Sequence, residues 1–261
     1  VGLLSDLEIV KSPTKRIIFQ TLVILTYLII SNNLIQSTRI QFIDNLFEVY
    51  YVRLFFTIFC ILVLINGSNF IDGVNTLAAT YFMMVLGIIM YLKYNYYLES
   101  EIFYEKIIFL SLFVFLIFNF FGKVYLGDNG AYLLSFIVGV NLIELQSSYI
   151  TISPYFIICL LWYPAYENLF SIIRKKIQNF SPSKPDIKHF HQLLFIFLKK
   201  KMKLDSKFAN TFTGIVINSF NLVVFLIAVP YHYNTKILLL ILIINVLIYN
   251  SLYFFLKKNY G

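Results

Sequence analysis

Asn66, Asn69, Asp72 and Asn75 recur at every third residue in the stretch NGSNFIDGVNTL. One carboxylate and three carboxamides stand where the apolar run FFTIFCILVLI ends and another apolar run is about to begin. Such groups are costly against lipid, so a polar ladder at this position reads first as a functional site. Residues three apart are neighbours on a helix, which lets Asn69 and Asp72 converge on one ligand while Asn66 and Asn75 sit progressively round the face. Gly73 removes a side chain beside Asp72 and admits a ligand or a second backbone. The competing reading is a helix-capping cluster that satisfies orphan N–H groups.

Two further clusters carry chemistry. Lys123, Tyr125, Gly127, Asp128 and Gly130 fall together in GKVYLGDNGAY, between two apolar spans. Asp128 is expected at a loop tip, where a carboxylate suits a hard cation such as Mg²⁺. An ordinary Gly-Asp turn would use the same residues. Tyr125 serves either as an interfacial anchor or as a ring that stacks on a base. The third cluster is SPSKPDIKHFHQ, Ser181 to Gln192. His189 and His191, two apart and with no third soft ligand, are badly placed for a structural zinc. Beside Lys188 they suit phosphate contact or proton transfer, unless they are incidental to a basic surface loop. Glu167, in WYPAYENL after Pro164, is given a supporting role, capping or lining the site.

The elements that must position these groups are apolar. Of the 261 residues, 59% are hydrophobic and 13% charged, with 28 Phe and 20 Tyr. That composition lies outside the soluble globular range and inside the polytopic membrane class. Apolar segments near twenty residues long are enough to cross a hydrocarbon layer of roughly 30 Å as helices. Eight such spans are expected, near 17–35, 54–65, 77–92, 102–121, 132–145, 155–173, 208–229 and 237–256. The alternating pattern of a barrel strand is not visible. Cys60 and Cys159 both fall in apolar runs without metal-ligand spacing and read as small buried hydrophobes. The chain opens on Val1 in a polar segment without a signal peptide, and it reads as a single membrane-embedded domain, 1–261, incomplete at its N-terminus.

Placement of Lys and Arg orients the spans. Lys11, Lys15, Arg16, Lys123, the ten basic residues between 174 and 207, Lys257 and Lys258 fall on one side. These are 16 of the 21 basic residues; Arg39, Arg53, Lys93, Lys106 and Lys236 fall on the other. The first side is therefore expected to be cytoplasmic, with loops near 1–16, 66–76, 122–131 and 174–207. All three polar clusters land there, which favours one shared site. The net charge of +8 concentrates in the same loops and suits anionic lipid or an anionic substrate. Nucleic acid is a poor fit, because the basic residues flank membrane spans.

The three motifs, in order, resemble one family, the polyprenyl-phosphate N-acetylhexosamine-1-phosphate transferases. NGSNFIDGVNTLA, KVYLGDNGAYLLSF and SPSKPDIKHFHQLLF each look like a block of that family, and GLLSDLEIVKSPTKRIIFQ resembles its Asp-Asp segment. The resemblance implies an all-helical polytopic bundle in a bacterial inner membrane, with a cytoplasmic active site. The reaction it implies is Mg²⁺-dependent transfer of a sugar-1-phosphate from a UDP-N-acetylhexosamine to undecaprenyl phosphate. That step releases UMP and starts a lipid-linked cell-surface glycan. A homodimer is a further expectation. Carried over residue by residue, Asp128 is the metal ligand, and Asp72 and Asp6 handle the lipid phosphate or the pyrophosphate. Asn69 contacts the nucleotide region, Gly73, Val74 and Asn75 with Tyr125 match the uracil pocket, and Lys123 and Lys188 bind substrate. His189 and His191 belong to a loop that closes over the substrate.

The chain departs from the family at several points. Ser5 stands in place of the first Asp of the pair, Asn75 and Thr76 in place of Asp-Gly, and Ala131 in place of Ser. Ile187 stands in place of Arg and Gln192 in place of the last His. These changes bear on the catalytic base and on sugar specificity, and Ser5 and Gln192 in particular support the alternative of a non-catalytic member that binds polyprenyl phosphate or a partner protein. A transporter would place its polar groups at broken helices near the bilayer centre, and here they gather at span ends.

Overall fold

The computed structural model describes residues 1–97, 102–179 and 188–260. The link residues Glu99 and Glu101, and Ser181 to Ile187 of the third motif, lie outside the described residues. Eleven α-helices account for most of the described chain. They are α1 (Gly2–Asp6), α2 (Pro13–Ser31), α3 (Gln41–Leu46), α4 (Tyr50–Ile71), α5 (Leu77–Leu92), α6 (Phe103–Phe120), α7 (Gly127–Ser148), α8 (Pro154–Ile177), α9 (Phe190–Lys201), α10 (Ser206–Ala228) and α11 (Thr235–Tyr260). Eight of these, α2, α4 to α8, α10 and α11, are long and apolar enough to cross a membrane. The protein is an all-α, multi-pass membrane bundle, as its composition requires.

Helix boundaries follow local chemistry. Pro13 and Pro154 sit at the first helical positions of α2 and α8, where a missing N–H costs nothing. The Ser153 hydroxyl accepts from Tyr155 N–H, and the Asp205 carboxylate accepts from Lys207 N–H at the start of α10. The expected span 54–65 is too short. Helix α4 runs on to Ile71, because Asn66 donates back to the Leu62 carbonyl at 2.8 Å and Ser68 to that of Leu64 at 2.6 Å. Polar side chains thus end the hydropathy signal without ending the helix.

Within lipid there is little hydrophobic drive between helices, so close approach and satisfied polar groups hold the bundle. Pro164 lies inside α8 and cannot donate to the carbonyl of Leu160. The buried Tyr81 hydroxyl of α5 donates to that carbonyl instead, at 2.7 Å. At the same place Gly67 of α4 abuts the Pro164 carbonyl, where any larger side chain would collide. One core gathers Tyr81, Phe82, Phe156, Tyr163 and Phe225, from α5, α8 and α10. A second joins Ile24 and Leu28 of α2 to Leu54, Ile58 and Ile61 of α4 and Tyr132 and Val140 of α7.

The two ends of the bundle differ. At one end Arg39 donates to the carbonyls of Tyr233 and Thr151 and to the Thr235 hydroxyl, tying three inter-helix links together. At that end Lys93 and Glu105 also form a buried ion pair of 2.8 Å. The three polar clusters lie at the other end.

Candidate active site

The start of α7 is the centre of the site. Gly127, at φ 65°, turns the chain into the helix in the left-handed region. The first N–H groups of a helix need partners, and here they come from 122 residues earlier. The Asp6 carboxylate accepts from the N–H groups of Asp128 and Asn129, each at 3.0 Å. Asp128 is therefore in the first turn of a helix and not at a loop tip, and its charge is favoured there by the helix dipole. Its Oδ2 accepts from the Ser5 hydroxyl at 2.5 Å and from Arg16 Nη1 at 2.9 Å, and its Oδ1 from Asn69 Nδ2 at 2.5 Å.

Asp72 caps the end of α4 and takes a hydrogen bond from the Gly127 N–H. Burial pushes its carboxyl up to about 7, the Gly127 N–H works against that, and the charges of Asp128 and Asp6 add to it. The ladder is thus not one helical face. Asn66 turns inward to Leu62 and Gln20, Asn69 and Asp72 reach the site, and Asn75 belongs to the turn between α4 and α5.

Asp6, Asn69, Asp72, Gly73, Val74, Asn75, Tyr125 and Asp128 line one pocket of about 300 Å³, together with Asn119, Leu126, Gly127 and Asn210. Asp72 and Asp128 share one compartment. Among the described residues no three His, Cys, Asp or Glu side chains form a ready cage for a metal. The donor set nevertheless fits Mg²⁺, which takes oxygen ligands and is commonly held by one or two carboxylates plus substrate phosphates. A larger apolar cavity of about 400 Å³, between α4, α7 and α8, is lined by Phe56, Phe59, Cys60, Ile143 and Tyr155 among others and carries no carboxylate.

His189, His191, Lys123 and Lys188 are not part of the pocket lining. Lys123 is exposed on the adjoining loop. The histidines pack behind the Gly73 turn. His189 Nδ1 lies 2.9 Å from Glu167 Oε1, which also accepts from the Phe190 N–H, while Tyr249 donates to Oε2 at 2.6 Å. The His189 ring stacks on Phe70 of α4 and on His191, with centroids 5.2 and 5.7 Å apart. His191 is 1% exposed, and its Nε2 stands against Gly73 where a β-carbon would be. Burial holds its ring down to about 4, with the Glu167 charge opposing and the His189 charge assisting. Gln192, the departure from the third motif, accepts from the His189 N–H at 3.0 Å and fixes the start of α9. Arg174 and Tyr253 both donate to the Lys188 carbonyl, so the backbone entering the histidine motif is anchored to α8 and α11.

From the sequence Arg16 reads as a topology-setting charge; its position at the start of a span, close after Asp6, is the signal that ties it to the site. Asn119 and Asn210 join the site as well, and each is a carboxamide near the end of an apolar span, the property that marks the ladder.

An all-α membrane bundle with a carboxylate-lined pocket at one end is the class that fold and site define. Residues 1–146 match the family model described as Glycosyl transferase family 4, and the chain belongs to that family. A relative from Bacillus subtilis (strain 168), named probable undecaprenyl-phosphate N-acetylglucosaminyl 1-phosphate transferase, is 26% identical over 160 residues. That match covers 60% of this chain and 45% of the relative, so the chain spans less than half of the relative's length. No solved structure matches.

Proposed function

We propose that the protein transfers a sugar-1-phosphate from a UDP-sugar, an N-acetylhexosamine derivative, to a polyprenyl phosphate and releases UMP. One observation carries the reading: Asp6, Asp72, Asp128 and Asn69 converge with Asn75 and Tyr125 on a single pocket at one end of a membrane bundle. In the reaction an oxygen of the lipid phosphate attacks the sugar-bearing phosphorus, the bond to the bridging oxygen breaks, and UMP leaves with that oxygen. Such a step asks for positioning and charge neutralisation more than covalent help. Mg²⁺, held by Asp128 and Asp72 with the diphosphate, would neutralise charge developing on UMP. Asn69 and Ser5 hold the Asp128 carboxylate in place. Asp6 fixes the helix start that presents Asp128. Arg16 pairs with the same carboxylate and braces it from outside the pocket. A site at a bundle end receives the lipid phosphate from the bilayer and the nucleotide from water. The excess of Lys and Arg on that side supports a cytoplasmic site, in our reading at a bacterial inner membrane.

The test is UMP release by the full-length protein, assayed with a panel of UDP-sugars, Mg²⁺ and undecaprenyl phosphate. Release is expected to depend on both the lipid and the cation, and Asp128→Asn and Asp72→Asn are each expected to abolish it. Release that ignores omission of the lipid, or full activity in either variant, would reject the reading.

A further inference from the structure

Four carboxamides line the pocket beside the carboxylates. Asn69 is engaged with the Asp128 carboxylate through its Nδ2, and the hydrogen bonds of the other three settle what each has left to offer a ligand. Asn119 is spent: its Oδ1 accepts from the Thr76 N–H at 2.6 Å and its Nδ2 donates to the Val124 carbonyl at 2.8 Å. Asn75 is half spent. The Thr211 hydroxyl gives its proton to the Phe120 carbonyl at 2.9 Å, so toward Asn75 it acts as acceptor, and Asn75 Nδ2 donates to it at 3.5 Å. That leaves Asn75 Oδ1 as an uncommitted acceptor. Asn210, from α10, is half spent the other way. A backbone N–H can only donate, so the atom that meets the Asn75 N–H at 2.7 Å is Oδ1. Asn210 Nδ2 then remains as an uncommitted donor.

We infer that Asn210 is a specificity-determining residue for the nucleotide base, its Nδ2 donating to a ring carbonyl while Asn75 Oδ1 accepts the adjoining ring N–H. An acceptor beside a donor is the complement of an imide edge, as in uracil. With the carbonyl at C4, cytosine presents the reverse order, an acceptor nitrogen beside an amino donor, and sets like against like at both contacts; with the carbonyl at C2, it sets acceptor against acceptor at the ring nitrogen. The inference rests on the proposed use of a UDP-sugar and adds the residue that reads the base. Asn210 lies beyond the stretch matched by the family model. A site built to pair with a particular polar edge rejects the unmatched one strongly, because its own groups are left unpaired.

The variant that separates recognition from bracing is Asn210→Asp. It retains an oxygen for the Asn75 N–H and replaces the donor with a second acceptor. Equilibrium binding of UMP and CMP is measured by calorimetry on the full-length protein in nanodiscs with Mg²⁺. The unaltered protein is expected to prefer UMP. In Asn210→Asp, UMP affinity is expected to fall by about tenfold or more, with a smaller loss or a gain for CMP, so that the ratio shifts toward CMP. An unchanged UMP-to-CMP ratio in Asn210→Asp would reduce Asn210 to a brace and overturn the inference, leaving the proposed function intact. Failure of the unaltered protein to bind either nucleotide would overturn the proposed function and this inference with it. Should the variant not fold, 2-thio-UMP and 4-thio-UMP on the unaltered protein replace it: each weakens one ring carbonyl as an acceptor. One of the two is expected to bind at least about threefold more weakly than UMP, and equal binding of all three nucleotides would overturn the inference.

Discussion

Gly73 and His191 meet at the back of the pocket, and their contact ties the ladder motif to the histidine motif. A β-carbon at residue 73 would occupy the place of the His191 imidazole edge. Gly73→Ala is therefore expected to destabilise the protein by about 1–3 kcal/mol through overpacking, with His191→Ala restoring part of the loss in the double variant. Thermal unfolding of the two single variants and the pair measures this, and strictly additive losses would remove the contact from the explanation. Asp72 supports a second prediction. Its folded pKa, raised to about 7, lies above the unfolded value, so the folded state holds the proton more tightly. The linked stability is present at low pH and is lost as pH rises toward and through 7. His191 works in the opposite sense: its ring is held down to about 4, so its share is lost as pH falls below the ordinary histidine range. The informative quantity is thus a difference. In EDTA, the melting temperature of the unaltered protein relative to Asp72→Asn is expected to fall between pH 5 and 7 and to level off above. A flat difference would show that Asp72 titrates normally. At this scale much of the site was legible, because carboxylates and carboxamides beside apolar runs are conspicuous. The Arg16–Asp128 pair was not, because a basic residue at a span end is already accounted for by membrane topology and nothing local links residues 112 positions apart.

At the scale of elements, α8 does more than span the bundle. Its Pro164 break is satisfied by Tyr81, and its Glu167 carboxylate, less than one turn of helix beyond that proline, orients His189 and holds the start of α9. Glu167→Gln keeps the shape and removes the charge. UMP release is expected to fall by about tenfold, the scale on which loss of the carboxylate partner of a metal-bound imidazole acts, while circular dichroism stays unchanged. Wild-type turnover in this variant would leave Glu167 as packing alone. Eight spans were legible from apolar run length, since backbone polar groups in lipid leave helices as the natural choice. The end of α4 was not. Asn66 and Ser68 lower the hydropathy of the segment yet bond back into their own helix, so composition marks a boundary that geometry ignores.

For the whole molecule, polarity is divided between two ends with different tasks. One carries Arg39 and the Lys93–Glu105 pair as ties between links. The other carries the pocket and most of the basic residues. Single cysteines replacing Lys203 and Lys236 are expected to label from opposite faces with a membrane-impermeant maleimide, Lys203 only after the inner face is opened. Labelling of both from one face would overturn the orientation. The final helix adds a consequence of its own. Tyr249 and Tyr253, both on α11, hold Glu167 and the Lys188 carbonyl, although α11 supplies no side chain to the pocket. A late frameshift in the gene would leave every signature block readable on paper while releasing the histidine segment from its moorings. A search for motifs would score such an allele as intact, and only the protein would register the loss.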